Sequence, residues 1–436
     1  MKKLLIIAYY FPPSGGPGVQ RVLKHIKYLP EFGWQPIVLT VSNGQFPARD
    51  ESLLKQIPES TIVSRIPIYE PYDLYRFFTG KKPGTAIDVN VIKKDSQKIG
   101  FKEKIAEFIR ATLFIPDARV AWLFNAVKQG MKLIQEYDVE AIYSSSPPYT
   151  CSLIARNIKR KSNLPWISGF RDPWTGFISS PKRWFLPAMV DKAMEHSVFK
   201  ESDLVEAAWK GIIKDALGKF PDLNPDKFIH IPNGFDSSDF PEVEQKRNSK
   251  FTVTYTGSMY GRRNPESFFK AIDLLIKNGE VDQDKIQLRF VGRFGAEVEE
   301  MFDKAAFNNS IERISYMAHN ESIGKLLASD ALLLVVDESK ESNEIVPGKV
   351  YEYLGCKKPI IAIAPHNSAI EDLIIATNGG RVAHQSEINR IAEIFKEYYS
   401  KWLNNQLIND YNNEIINTYE RYEAAKQLAN LLDGII

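Results

Sequence analysis

Short aliphatic runs alternate along this chain with longer amphipathic stretches, the rhythm of strand, crossover helix and parallel strand. Residues 4–9 read as a strand, Val22, Ile26 and Leu29 give helical spacing over residues 19–29, and residues 36–41 supply the next strand of a βαβ unit. Residues 50–115 then interrupt with a polar, aromatic and lysine-bearing stretch too long for a plain connection. The alternation resumes with a helix over 120–137, a strand at 141–144, a helix over 154–161 and strands at 166–170, 203–207 and 228–231. Residues 242–250 (EVEQKRNSK) are charged and nearly devoid of apolar side chains, which is the composition of a linker. A second series follows, with strands at 252–255, 287–291, 314–316, 331–336 and 360–364. The spacing of Ile415, Ile416, Tyr419, Tyr422, Ala425, Leu428 and Leu432 predicts a helix over 411–436.

This pattern predicts an α/β protein of two doubly wound, Rossmann-like domains. The first spans residues 1–241, a linker 242–250, the second domain 251–410, and the last helix, 411–436, crosses back to the first domain. Sheets of this kind bind ligands beyond the carboxyl ends of their strands, so the expected site is a central cleft that the two domains face.

Composition narrows the function classes. At 44% hydrophobic and 25% charged over 436 residues, the chain is globular rather than disordered or collagen-like. Its 56 Lys plus Arg against 54 Asp plus Glu leave a net +2, which provides no global field for nucleic acid. That sum hides an asymmetry: residues 1–200 carry 29 basic and 17 acidic side chains, and residues 201–436 carry 27 and 37. The first half is therefore expected to meet an anion. Cys151 and Cys356 have no ligand-like spacing, which argues against a disulfide framework and a cysteine metal site and favours a reducing cytosol. Met1-Lys2-Lys3 and the apolar run behind it imitate a signal peptide, but proline and glycine follow at once without a cleavage site, as expected of a buried first strand. No apolar stretch approaches the roughly 18 residues of a membrane span, so work at a membrane would be done from its surface.

Several segments carry candidate chemistry. Pro12-Pro13-Ser14-Gly15-Gly16-Pro17-Gly18 falls between the first strand and helix, where glycines let backbone approach an anion at the helix N-terminus. A dinucleotide fingerprint and a plain tight turn are the alternatives, the former weakened by Arg21 where its third glycine belongs. In residues 343–361 (NEIVPGKVYEYLGCKKPII), Pro347 suits a first helical turn, Gly348 and Lys349 offer free amides, and Glu344 and Glu352 flank them. That makes a phosphate seat beside carboxylates suited to sugar hydroxyls, although two such glutamates are also common on solvated surfaces. Asp172, in Gly169-Phe170-Arg171-Asp172-Pro173-Trp174, can orient or deprotonate a hydroxyl, or simply start a turn. Ser144-Ser145-Ser146-Pro147-Pro148 forms another strand-end loop with hydroxyls to offer. No metal site is predicted: the six histidines show no i, i+4 pair, and Asp282-Gln283-Asp284 reads as a polar turn. Tyr75-Arg76-Phe77-Phe78 with Lys81 and Lys82, and Lys182-Arg183-Trp184-Phe185, combine cations with aromatics as a surface for anionic lipid or a diphosphate-linked acceptor does. Nucleic acid is the weaker alternative.

The segment Glu344 to Glu352 resembles the E-x7-E signature of retaining glycosyltransferases of family 4, with P-x-K-x-x-E-Y-L inside it. Three other stretches resemble motifs of that family in the same order. They are Gly15-Gly16, then Ile231-Pro232-Asn233-Gly234-Phe235-Asp236, then Tyr255-Thr256-Gly257-Ser258 with Arg262-Arg263. The resemblance implies the GT-B fold and a nucleoside-diphosphate sugar as donor. It assigns Glu352 to the donor ribose and Glu344 to the transferred sugar, with Gly15, Gly16, Gly257, Ser258, Arg262, Arg263, Gly348 and Lys349 also on the donor. Ser258 stands where the family commonly has arginine, and Arg263 aligns with its lysine, which leaves Arg262 to replace one of two cations on the leaving diphosphate. Asp172 lies in a segment similar to the R-D-P-W that relatives carry beside the reacting sugar.

The resulting expectation is a cytoplasmic, membrane-peripheral hexosyltransferase that works with retention and without cofactor or metal. Its acceptor would be a glycan or a polyprenyl-diphosphate-linked sugar of surface polysaccharide or glycolipid synthesis, with Lys81, Lys82, Lys182, Arg183 and Trp184 meeting acceptor or membrane. A nucleotide-sugar epimerase of the same fold and a non-catalytic scaffold, which Ser258 would favour, are the other readings.

Overall fold

The computed structural model describes residues 1–46, 48–70, 108–109, 111–177, 180–242, 247–338, 343–408 and 410–436. The chain divides into two compact units, one of Met1–Pro232 with Arg421–Ile436 and one of Asn233–Glu420.

The first unit is built on seven parallel strands: β1 (Lys2–Ala8), β2 (Trp34–Val41), β3 (Ile62–Ile66), β4 (Ala141–Ser146), β5 (Trp166–Phe170), β6 (Leu204–Ala207) and β7 (Phe228–His230). Their order is β3-β2-β1-β4-β5-β6-β7. β1 is buried from Leu4 to Ala8 because helices cover both faces of a parallel sheet, so its apolar run is continuous rather than alternating. Leu5 lies between Ile37 of β2 and Ile142 of β4. The helix Pro17–Tyr28 brings Val19, Val22, Leu23 and Ile26 onto this sheet, and the helix Arg421–Asp433 adds Leu428, Ala429 and Leu432 to the same core. Asp433 also accepts hydrogen bonds from Lys2 at 2.8 Å and the Trp34 indole at 3.0 Å.

A buried polar cluster holds the chain where it leaves this unit. Arg21 pairs with Glu206 and donates to the carbonyls of Ile231 (2.7 Å) and Pro232 (3.2 Å). The second Glu206 oxygen accepts the Tyr143 hydroxyl at 2.6 Å. Burial beside this pair pushes His25 down to about 3.

The second unit has six parallel strands: β8 (Phe251–Thr256), β9 (Ile286–Val291), β10 (Ile311–Ile314), β11 (Ala331–Val335), β12 (Ile360–Ile363) and β13 (Gly380–Ala383), ordered β10-β9-β8-β11-β12-β13. Leu333, Val335, Ile361 and Ile363 enter one apolar cluster, and Leu332, Leu334, Ile360 and Ala362 enter the other. That is the period-2 division of a sheet buried on both faces. In each unit the strand order runs outward both ways from a central pair, β1/β4 and β8/β11, and loops diverging there open a crevice at the carboxyl ends.

Several boundaries differ from the sequence reading. The chain passes between units at Pro232/Asn233 rather than within 242–250, because Phe235 and Phe240, stacked 5.8 Å apart, already pack in the core of the second unit. β3 lies inside the stretch read as an interruption, and β13 follows the five predicted strands of the second series. β10 ends at Ile314, where residues 314–316 were expected as strand; Tyr316 is a half-exposed loop residue. The predicted 411–436 helix is two, Asn413–Asn417 and Arg421–Asp433, falling in different units. No helix of the described residues is long and apolar enough to cross a membrane.

Candidate functional site

The residues of interest in the second unit gather where β8 ends and the helix Gly348–Cys356 begins. Gly257 follows β8 with φ of 116°, and a Cβ there would lie 3.2 Å from the Lys349 ammonium. Its neighbour Gly292, just past β9, has φ of 146°, and a Cβ on it would fall 2.0 Å from the Gly257 carbonyl. Both positions are therefore held to glycine by backbone conformation and by close approach. Tyr353 of the same helix braces the strand end, its hydroxyl accepting the Thr256 amide at 2.9 Å.

Lys349 is tucked beneath this turn. Its ammonium donates to the Tyr255 hydroxyl at 2.7 Å and the Thr256 carbonyl at 3.2 Å, and lies 4.0 Å from the Tyr255 ring centroid. Tyr255 passes the chain on, donating to the Ser258 carbonyl at 3.0 Å. Burial, reinforced by the nearby Arg263 charge, holds the Lys349 ammonium well below the ordinary lysine range, while Glu352 pulls the other way. Among the described residues no carboxylate lies within ion-pair distance of it. The Gly348 and Lys349 amides, which open the helix, likewise meet no acceptor among the described residues, because the first turn of a helix has no internal partners. A desolvated cation and open helical amides point to an anionic ligand.

Glu352 lies one turn further along. One carboxylate oxygen is 2.8 Å from Nε2 of His319, whose Nδ1 is 4.0 Å from Asp239. The other oxygen has no partner among the described residues. Arg263 faces Asp337 at 3.4 Å. Arg262 is exposed with no ion-pair partner among the described residues, and Glu344 is half-buried in the turn before the helix. His319 was missed in the sequence, as was Arg293. The latter is exposed over the Tyr316 ring at 5.0 Å, and its carbonyl accepts the Met259 amide at 3.0 Å, which ties it to the segment after Ser258. Only the fold joins these residues; neither forms a spacing pattern with Glu352 or Gly257.

In the first unit, the Gly15 amide donates to the Ala48 carbonyl at 2.9 Å, and Gly16 stands exposed at the start of the helix Pro17–Tyr28. Arg171 lies across Gly18, where a Cβ would be 2.3 Å from its Nη1, stacks on Tyr10 at 5.6 Å and donates to the Pro147 carbonyl. Asp172 beside it accepts no hydrogen bond from the described residues, and burial lifts its carboxyl above the usual range against the pull of Arg171. The expectation that Ser144 and Ser146 face a ligand does not hold. Ser144 bonds Ser168 (3.4 Å) and the Trp166 indole (3.0 Å), and Ser146 bonds Ser152 at 2.7 Å, so both hydroxyls serve the interior.

Arg183 also departs from its expected place on a charged surface. It is buried against Asp191 at 2.7 Å and donates to the carbonyls of Ala111, Phe114 and Pro116, because a guanidinium has enough donors to fasten a whole loop. Trp184 is partly exposed and Lys182 exposed. Lys81 and Lys82 lie outside the described residues. Asp282 caps its own turn by accepting the Asp284 amide at 3.0 Å, and no group of three His, Cys, Asp or Glu side chains among the described residues is gathered to hold a metal ion.

Residues 236–421 match the model of the family glycosyl transferases group 1. No curated protein sequence matches the chain. Among solved structures, the fold is similar to that of Anabaena HepE in complex with UDP, at 12% identity over all of both chains with a TM-score of 0.62. It is similar to sucrose-phosphate synthase from Thermosynechococcus elongatus, at 11% identity over 100% of this chain and 99% of that one, with a TM-score of 0.61. WaaG, a glycosyltransferase involved in lipopolysaccharide biosynthesis, matches at 12% identity over 99% and 100% with a TM-score of 0.56. The two parallel sheets are thus those of the GT-B glycosyltransferase architecture, and residues 236–421, where Lys349 and Glu352 lie, are the part that matches glycosyl transferases group 1.

Proposed function

We propose that the protein is a glycosyltransferase that moves a hexose from a nucleoside-diphosphate sugar to an acceptor hydroxyl with retention of configuration. The observation that carries this reading is Lys349, a desolvated cation without a counter-ion among the described residues, beside the open amides of Gly348 and Lys349 and the side-chain-free turn at Gly257. A diphosphate supplies the missing negative charge. Glu352, steadied by His319 on one oxygen, offers the other to the vicinal hydroxyls of the ribose, and Glu344 meets the transferred sugar.

In the reaction, the bond from the anomeric carbon to the diphosphate breaks as the acceptor oxygen bonds to the same face, and the departing diphosphate oxygen takes the acceptor proton. Lys349, Arg263 and the helix amides offset the charge growing on the diphosphate, where the fixed donors act without reorganising. Arg262 and Arg293 extend this positive surface, and the Ser258 carbonyl is held by Tyr255. The resemblance alone assigns Gly15 and Gly16 to the same donor. Asp172, lifted by burial, orients the acceptor hydroxyl. The chemistry needs no divalent metal, so turnover should persist in excess chelator. The acceptor is a glycan or lipid-linked sugar of surface polysaccharide or glycolipid synthesis, met on the cytosolic side of a membrane.

Calorimetric titration tests the reading, beginning with UDP because the HepE structure holds that nucleotide. Lys349→Met should weaken diphosphate binding by about 1.5–3 kcal/mol, roughly ten- to a hundredfold, as expected for one charge-assisted hydrogen bond. Failure of UDP, ADP and GDP alike to bind the wild-type protein at millimolar concentration would overturn it.

A further inference from the structure

The helix Phe185–Glu201 in the first unit buries Pro187, Val198 and Phe199, but its first half turns other apolar side chains outward. Its acidic residues Asp191 and Glu195 are 5% and 0% exposed, held by Arg183 and the Trp174 indole (2.8 Å) in one case and by Thr175 and Lys219 in the other. Its apolar residues Phe185, Leu186, Met189 and Val190 face out, at 72%, 55%, 54% and 45% exposure. At 100° per residue these four make a stripe about 140° wide. Globular helices ordinarily turn such a stripe to the core.

The stripe is extended from outside the helix. The three carbonyl bonds of Arg183 and a 3.0 Å bond from the Trp184 indole to the Thr112 hydroxyl fasten residues 111–116 beside its first turn. That loop carries Leu113, 67% exposed. The exposed charges in residues 180–194 are both positive, Lys182 and Lys192; the single carboxylate of that stretch is the buried Asp191. An exposed apolar stripe flanked by Lys182 and Lys192 matches an acyl boundary beneath anionic headgroups. A second copy of the chain would bring like charges together across a shared axis.

We propose that this face docks on an anionic lipid bilayer, with Phe185, Leu186, Met189, Val190 and Leu113 entering the acyl boundary and Lys182 and Lys192 meeting lipid phosphates. The fastening by Arg183 and Trp184 is what holds the loop beside the start of the helix. Docking uses no residue of the nucleotide site, so the two stand or fall separately.

Co-sedimentation of the full chain, without donor or acceptor, tests this with vesicles of phosphatidylcholine alone and with about one third phosphatidylglycerol, a composition that sets an anionic surface potential. Wild-type protein should pellet with the anionic vesicles at low salt and weaken as salt is raised. The exposed double substitution Phe185→Ser with Met189→Ser should lower the partition constant roughly tenfold or more on those vesicles. Lys182→Glu with Lys192→Glu should lose the preference for anionic vesicles. Wild-type protein remaining in the supernatant at low salt would overturn the proposal. So would equal binding by the serine variant, or a lipid-free dimer in sedimentation equilibrium that the serine variant abolishes.

Discussion

Because burial and the Arg263 charge hold Lys349 below the ordinary lysine range, an arriving diphosphate should raise it again, and at any pH where the free protein has lost that proton binding should be coupled to proton uptake. The sign follows from the direction of the shift: affinity is highest where Lys349 is already charged and falls as pH rises through its depressed value. Titrations in two buffers of different ionisation heat measure the uptake, and Lys349→Met should abolish it. Glu352→Ala should act mainly on nucleotide affinity and Glu344→Ala mainly on kcat, each by roughly ten- to a hundredfold, the worth of one charge-assisted hydrogen bond; unchanged UDP affinity in Glu352→Ala would remove Glu352 from the ribose. His319→Ala should share the Glu352 defect in part, with His319→Gln milder because it keeps a donor. In the other unit, Arg21→Met leaves Glu206 buried and unpaired and should cost about 3–5 kcal/mol in denaturant unfolding. Lys349 and Glu352 were legible because they share one helix turn with a glycine and a proline. His319 and Arg293 were not, since their relation to the site exists only once β9 and β10 have brought distant loops together. Arg183, read as surface charge from its lysine neighbour, shows that an arginine beside aromatics can equally be an internal clamp.

At the scale of elements, the end of the second sheet carries a pH-sensitive joint. His366, past β12, sits 3.0 Å from Glu371 and 2.9 Å from Glu387, residues that precede or open the helices Ala369–Ala376 and Ile388–Leu403. Hydrogen bonds to Glu371 and then Glu387 raise its value above the ordinary 6.5. A raised histidine stabilises the folded state fully below its unfolded value of about 6.5, and that contribution fades as pH rises through the folded one. The melting temperature of wild type minus His366→Gln, followed from about pH 5 to about pH 9, should fall along that course, and only modestly because the ring is half exposed. The strands easiest to read were central ones such as β1 and β11, whose unbroken aliphatic runs follow from burial on both faces. Those missed lie at the sheet edges. β3 (IVSRI) is only half-buried, and β13 (GRVA) is four residues with an exposed arginine, so neither offers enough apolar side chains to signal a strand. The charge of residues 242–250 suggested a boundary, but Phe235 and Phe240 have already joined the second core before that stretch begins.

At the scale of the molecule, Asn233–Glu420 is spliced into a unit whose own sequence is completed by Arg421–Ile436. Leu428 is fully buried against β1 and the helix Pro17–Tyr28, so Leu428→Ala should destabilise the first unit by about 2–5 kcal/mol, visible as its separate early melting. The same arrangement has a consequence for synthesis. Translation delivers Asn233–Glu420 as one uninterrupted stretch, whereas the sheet begun by Lys2–Ala8 must wait for Arg421–Asp433 before its last apolar face is covered. Domains commonly fold in the order they leave the ribosome. Here the later-made unit should acquire protease resistance first on the ribosome, with the earlier-made one held partly open, its hydrophobic face a target for chaperones until the closing helix arrives.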